Sequence, residues 1–307
     1  MTSSRRWTVL CGALAVAACG SHQGGSVGSS AAAAPPDAGT SGDAAAGAGV
    51  DIGGTFVPRE RALVFLHVGH SNMAGRTLMP AELIPFNFDT DPHLWAYHRG
   101  GSFTPAHEPL SGDSMTNGRA GPGMSILHAA LARAPEAFVI SIGHGHSGST
   151  GGYCRNFRRG GLLYDLVMAP ARELRGRVTF AAIFAMFGLS EADDFEHTSE
   201  FGACMRPLVA EMREDLGEPA LPFLLGDWEL AQDYLNPGSD VAQVIIPQLH
   251  ALPGQVDRLA LIPSDMLPVI PGDHHYDLTG YKLWAERGMQ ILATRGWAPW
   301  AHAGPAP

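Results

Sequence analysis

Beyond its first few residues the sequence has no run of lysine or arginine, and its formal net charge is −10. A nucleic-acid partner is therefore not expected, because a phosphate backbone demands a basic footprint. The apolar stretch near the amino terminus, Trp7 to Ala18, is too short to cross a bilayer comfortably. Cysteine is scarce: of four residues, Cys11 lies inside that stretch and Cys19 closes it, which leaves Cys154 and Cys204 for the rest of the chain. There is no internal repeat and no second domain boundary. What is present is ordinary for a packed core, since 45% of the 307 residues are hydrophobic, with both continuous and periodic apolar runs.

A basic start at Arg5-Arg6, an apolar segment and then small residues mark an export signal. Val16-Ala17-Ala18-Cys19 resembles a bacterial lipobox, which implies cleavage before Cys19 and a lipid on its sulfur. Residues 1–19 are thus expected to be a lipoprotein signal peptide, the protein to reside in the bacterial cell envelope as an outer-membrane lipoprotein or secreted, and the lipid to be its membrane contact. From Gly20 the chain is nearly all Ala, Gly, Ser, Pro and Asp, too poor in apolar surface to offset its ordering entropy. Residues 20–60 are read as a tether and 61–300 as the folded domain. In an oxidising compartment Cys154 and Cys204 either form a disulfide or remain two separate thiols.

Within the domain, apolar strand-like runs (Ala62 to Val68, Ala137 to Ile142, Val178 to Met186, Pro222 to Leu225, Leu259 to Pro263) alternate with stretches of helical period (Gly123 to Ala134, Leu162 to Leu174, Cys204 to Leu216, Val241 to Leu252, Leu278 to about Thr294). Such alternation means parallel strands joined by right-handed crossovers. The expected architecture is a three-layer α/β/α sandwich around a five-stranded parallel sheet. Thr77 to Arg119 shows no sustained period and is read as a long loop lining the site, with Trp95, Tyr97 and His98 either contacting substrate or, as aromatics more often do, filling the core.

The chemistry is concentrated where the first run ends, in Leu66-His67-Val68-Gly69-His70-Ser71-Asn72-Met73-Ala74-Gly75. A buried strand followed by glycine delivers Ser71 to the carboxyl end of the sheet, where α/β folds keep their sites. A hydroxyl becomes a nucleophile when a base takes its proton and N–H groups receive the oxyanion, so partners are expected elsewhere. Met73 stands where a G-x-S-x-G elbow would need its second glycine.

The stretch instead resembles the G-Q-S-N-M-A-G block of the sialate O-acetylesterase-like (SASA) carbohydrate esterases of the SGNH-hydrolase superfamily, with His70 in place of glutamine. Gly121-Pro122-Gly123-Met124 before an apolar helix is similar to a second block. Asp273-His274-His275-Tyr276, followed by Gly280-Tyr281, is similar to the last, with Asp273 two residues before His275 where the family spacing is three. The third block is the weakest match: the family reads roughly W-x-Q-G-E-S-D, and this chain has Phe187-Gly188-Leu189-Ser190-Glu191-Ala192-Asp193. Leu189 thus replaces an amide donor to the oxyanion.

The resemblance implies a flavodoxin-like SGNH hydrolase fold and an esterase acting on acylated carbohydrate, with no cofactor. Ser71 would be the nucleophile, His275 the base with His274 in reserve, and Asp273 the acid. N–H groups of Ser71, Gly121 and Gly123 would form the oxyanion hole, and His70, Asn72, His144 and Glu191 would contact substrate. Two rival readings are a degenerate hydrolase that only binds carbohydrate and a metal site built from His70, His144, His146 and the His274-His275 pair. A zinc set from His144 and His146 lacks a third ligand close by, and no metal is assigned.

Overall fold

A computed structural model of the chain describes residues 48–78, 91–110, 119–147, 153–188, 198–227 and 240–301. Residues 1–47, which include Cys19, the whole expected signal and most of the expected tether, lie outside them. The described region opens with an antiparallel hairpin, β1 (Gly49–Ile52) and β2 (Thr55–Pro58). Its alternating Val50, Ile52 and Val57 join the main apolar core. The last part of the segment read as tether thus forms a hairpin, held by three inward apolar side chains although its flanking composition looks like linker.

The chain continues as β3 (Ala62–Gly69), α1 (Ser71–Ala74), β4 (Thr77–Leu78), β5 (Leu94–His98), β6 (Ser102–Pro105), β7 (Arg119–Ala120), α2 (Gly123–Leu131) and β8 (Phe138–Gly145). There follow α3 (Tyr164–Glu173), β9 (Thr179–Met186), α4 (Phe201–Leu216), β10 (Phe223–Gly226), α5 (Asp240–Gln255), β11 (Leu259–Ile262) and α6 (Leu278–Thr294). None of the described helices is long and apolar enough to cross a membrane.

One sheet of seven strands runs in the order β11-β10-β9-β3-β8-β5-β6. All neighbours are parallel except the terminal pair β5–β6. Every residue of central β3 is buried, as a strand covered on both faces requires. Its side chains alternate between two cores. Val64, Leu66 and Val68 pack with α3, α4 and α5, whereas Leu63 and Phe65 pack with α2 and α6. This is the expected three-layer sandwich.

The sheet has two more strands than the five expected, and both come from the segment read as a loop. β5 pairs with the first half of β8, Leu94 opposite Val139 and Ala96 opposite Ser141. The carboxyl end of β8, where the site lies, is four residues or about 13 Å further on. Trp95, Tyr97 and His98 therefore lie on a strand of the sheet and not on a loop. Trp95 Nε1–H donates to the Pro92 carbonyl at 2.8 Å, Tyr97 O–H to Glu173 at 2.8 Å, and the His98 ring pairs with Thr104 at 2.8 Å.

Cys154 and Cys204 form a disulfide with a Cα–Cα distance of 6.2 Å across 50 residues of chain. Closing a loop of that length removes unfolded-state entropy equivalent to about 4 kcal/mol. The bond joins the 3-10 turn Cys154–Phe157 to the first turn of α4.

Candidate active site

The turn that carries Ser71 is built by close packing at the end of β3. Gly69 has φ +148, and a Cβ there would stand 2.1 Å from the Met186 carbonyl oxygen of the neighbouring β9. Only glycine suits such a position. The His70 N–H then donates to that carbonyl at 2.9 Å, and the chain turns directly into α1, whose first residue is Ser71. From the other side β8 presses in: a Cβ on Gly145 would meet the Ala74 nitrogen at 2.1 Å, and His146 N–H donates to the Gly69 carbonyl at 2.9 Å. Ser71 is thus held half-buried above the sheet by both neighbouring strands.

The partner segment is the connection from β11 to α6. Ile270 N–H donates to the His275 carbonyl at 2.8 Å and Asp273 N–H to the Ile270 carbonyl at 2.9 Å, which folds residues 270–275 into a tight loop. Asp277 caps α6 by accepting from Gly280 N–H at 2.8 Å. This loop places His275 Nε2 at 2.7 Å from Ser71 Oγ, and His275 Nδ1 at 2.7 Å from Asp273 Oδ1. The tautomer consistent with both contacts has Nδ1–H donating to the carboxylate, so that Nε2 accepts from the serine hydroxyl. The two-residue spacing between Asp273 and His275 is absorbed by the turn. Asp273 Oδ1 also accepts the His274 N–H at 2.7 Å.

Electrostatics keep this relay poised. His275 is pushed down to about 4, first by burial and then by the neighbouring His274 and by Arg76, against the opposing pull of Asp273. It is a neutral base at neutral pH. Burial alone would raise Asp273, yet the hydrogen bonds from His275 and from the His274 backbone, with the charge of both imidazoles, hold it below the usual carboxylate range. The His274 ring lies over His275 with centroids 4.1 Å apart.

Four residues expected at the substrate turn out to have other surroundings or cannot be placed. His70 is 3% exposed; its Nδ1 accepts the Asn72 N–H at 3.2 Å, capping α1, and burial lowers it to about 3, with His275 and His274 adding to the shift. Asn72 is 4% exposed and is turned toward the base loop, not outward. His144 lies within β8 and not in a loop after it, its ring near those of His146 and Phe157 at 6.0 and 6.4 Å. Glu191, with Leu189 and Ser190, lies outside the described residues.

The expected oxyanion glycines are also partly reassigned. Gly121 N–H donates to Glu108 Oε2 at 3.3 Å, and the same carboxylate accepts from Leu110 N–H at 3.0 Å and Met124 N–H at 2.8 Å. Gly121 is therefore engaged inside the protein, while Gly123 begins α2. Glu108 is a residue that sequence reasoning missed. It precedes a proline in an aperiodic stretch, and nothing local marks it. Burial raises its pKa, with the three N–H donors and His107 opposing.

Among the described residues, the side chains able to converge on a cation are Asp273, His274 and His275, whose ligand atoms lie within 4.8 Å of one another. Two of the three already form the relay to Ser71. The wider set with His70, His144 and His146 does not assemble among the described residues.

The profile of the family described as "Carbohydrate esterase, sialic acid-specific acetylesterase" matches residues 61–291. "Probable carbohydrate esterase At4g34215" of Arabidopsis thaliana is 25% identical in an alignment 225 positions long that covers 64% of this chain and 83% of that protein. Its X-ray structure superposes with a TM-score of 0.62 at 19% identity, covering 78% of this chain and 99% of that one. The crystal structure of NanS gives a TM-score of 0.58 at 13% identity, covering 78% and 98%. XAC1771, described as a carbohydrate acetylesterase from Xanthomonas citri, gives 0.54 at 14% identity, and there the match spans 76% of this chain but 56% of the neighbour.

Proposed function

The chain belongs to the SASA family of carbohydrate esterases, which are carboxylic ester hydrolases, and from that premise we propose that it removes acyl groups, acetyl above all, from carbohydrate hydroxyls through an acyl-enzyme on Ser71. The observation that carries the proposal is the unbroken relay from Ser71 Oγ to His275 Nε2 and from His275 Nδ1 to Asp273, each step 2.7 Å. His275 takes the serine proton as Oγ attacks the ester carbonyl. Asp273 keeps the imidazole in the right tautomer and stabilises the imidazolium that forms. The oxyanion is received by the N–H of Ser71 with that of Gly123, since Gly121 is already bound to Glu108. The imidazolium returns its proton to the leaving sugar oxygen; water then enters by the same route, and the acid leaves with Ser71 restored. Each step is served by protein groups alone, so no cofactor is invoked. We further propose that Cys19 carries lipid and tethers the domain to the bacterial envelope, so that Cys19→Ala moves the protein from the membrane fraction to the soluble one.

The test is hydrolysis of p-nitrophenyl acetate and of acetylated xylan by residues 48–307, beside Ser71→Ala and His275→Ala. Each variant is expected to lose about 10⁴-fold or more in kcat, with no effect of chelator on the parent. A folded parent that turns over neither ester would overturn the proposal in favour of a carbohydrate-binding protein that has lost catalysis. Leu189→Gln would then be the variant chosen to restore it.

A further inference from the structure

Asn72 follows the proposed nucleophile directly, and its side chain binds both peptide groups that flank the proposed base. Nδ2–H donates to the His274 carbonyl at 3.3 Å, and Oδ1 accepts the Tyr276 N–H at 3.0 Å. A carboxamide is the compact group that can donate and accept side by side. Here it pairs with the backbone on either side of His275 much as a neighbouring strand would. The same Oδ1 accepts the Tyr281 O–H at 3.3 Å, and Thr77 O–H donates to the Tyr276 carbonyl at 2.6 Å. The segment from 72 to 77 is thereby joined to the segment from 274 to 281 across more than 190 residues of chain.

We propose that Asn72 is the positioning residue of this site: it holds His275 against Ser71, and it does so without touching substrate. The inference rests on the serine-esterase reading above. Its reasoning is geometric. Ser71 and His275 stand on loops that leave different strands, β3 and β11, at opposite sides of two intervening strands. No sheet pairing fixes their separation, so the relay distance depends on direct ties between the loops. Asn72 supplies two of these at the residues next to His275, from the position next to Ser71. A displacement of about 1 Å between reacting groups costs about 10²-fold in rate.

The experiment compares Asn72→Ala and Asn72→Asp with the parent, with Ser71→Ala and His275→Ala in the same series. Asn72→Asp keeps the size and both acceptor contacts of Oδ1 but, when ionised, sets an oxygen without a proton against the His274 carbonyl, so it removes the donor half of the clamp at the cost of a buried charge, while Asn72→Ala removes both halves without one. Expected for both Asn72 variants is a fall of about 10²-fold in kcat on p-nitrophenyl acetate, with KM changed less than about threefold. The low-field proton resonance of His275 Nδ1–H, present in the parent and in Ser71→Ala, should broaden or vanish in both. A kcat within about threefold of the parent in either folded variant, or a raised KM at unchanged kcat, would overturn the proposal, the second result restoring Asn72 as a substrate contact. Full activity of Ser71→Ala or His275→Ala would sink the serine-esterase reading instead, and the resonance would still report whether Asn72 holds the histidine.

Discussion

Two stretches of this chain look alike in composition and end up with opposite duties. His70 to Thr77 with Gly272 to Asp277, on one side, and His93 to Pro105, on the other, are both short of regular period and both carry histidine and glycine. The first pair meets at the carboxyl end of β3, where Ser71, Asn72 and Thr77 each bond a partner on the opposite loop. The second adds two strands to the far side of the sheet, and its side chains bond the strands and the neighbouring helix α3 there. Composition near a histidine therefore says little about its work. What separates the regions is whether a distant segment arrives to complete the chemistry.

The comparison can be tested from the strongest effect downward. Asp273→Asn, which keeps the shape but permits the wrong imidazole tautomer, is expected to lower kcat by about 10³- to 10⁴-fold with little change in thermal midpoint; steady-state kinetics beside a melting curve would show it. A loss below about tenfold would mean that the carboxylate does not orient His275.

A smaller effect concerns pH. With His275 pushed down to about 4 by burial and by His274, the acid limb of kcat/KM should fall near pH 4, well below the value for an unperturbed histidine. The sign is set by the base having to be neutral: activity is full above that pKa and lost as pH falls through it. In His274→Gln one repelling imidazole is gone, so the limb should move upward. A limb that stays put, or moves down, would show that His274 does not act on the relay.

The smallest effect belongs to the other region. Tyr97→Phe removes the hydroxyl that donates to Glu173 at 2.8 Å on the sheet edge, which should cost about 0.5 to 1.5 kcal/mol of stability by denaturant titration. Its kcat and KM should match the parent. A tenfold loss of activity at unchanged stability would return β5 to the substrate site, as the aperiodic sequence first suggested.

The legibility of the sequence follows the same division. Of the five parallel strands β3, β8, β9, β10 and β11, all but β8 were readable to within a residue, because buried strands are continuous apolar runs; β8 runs three residues past the expected end, and α6 was read over its whole length, Leu278–Thr294. Leu94–His98 and Ser102–Pro105 were missed, since short edge strands among prolines and glycines carry no such run. The β1–β2 hairpin was hidden by its linker-like flank. At the site, Ser71, Asp273 and His275 could be picked out because Ser71 follows the first strand-like run and Asp273 and His275 share the block before the last helix, the two stretches that carry the family resemblance. Asn72 and Gly121 belong to the same motifs, yet their hydrogen bonds go to Tyr276 and Glu108. Pairings of that kind are set by tertiary packing and leave no mark in local residue order. Glu108 shows the limit most clearly: a buried carboxylate with three backbone donors that no pattern in the chain announces.

The account stands on Ser71 becoming acylated, and intact-protein mass spectrometry after rapid acid quench of the reaction with p-nitrophenyl acetate tests that directly. The predicted result is a single added acetyl group that maps to the peptide carrying Ser71, formed in the parent and absent from Ser71→Ala. Steady product release by the parent with no acetylated protein at any quench time, or an acetyl group retained in Ser71→Ala, would contradict it.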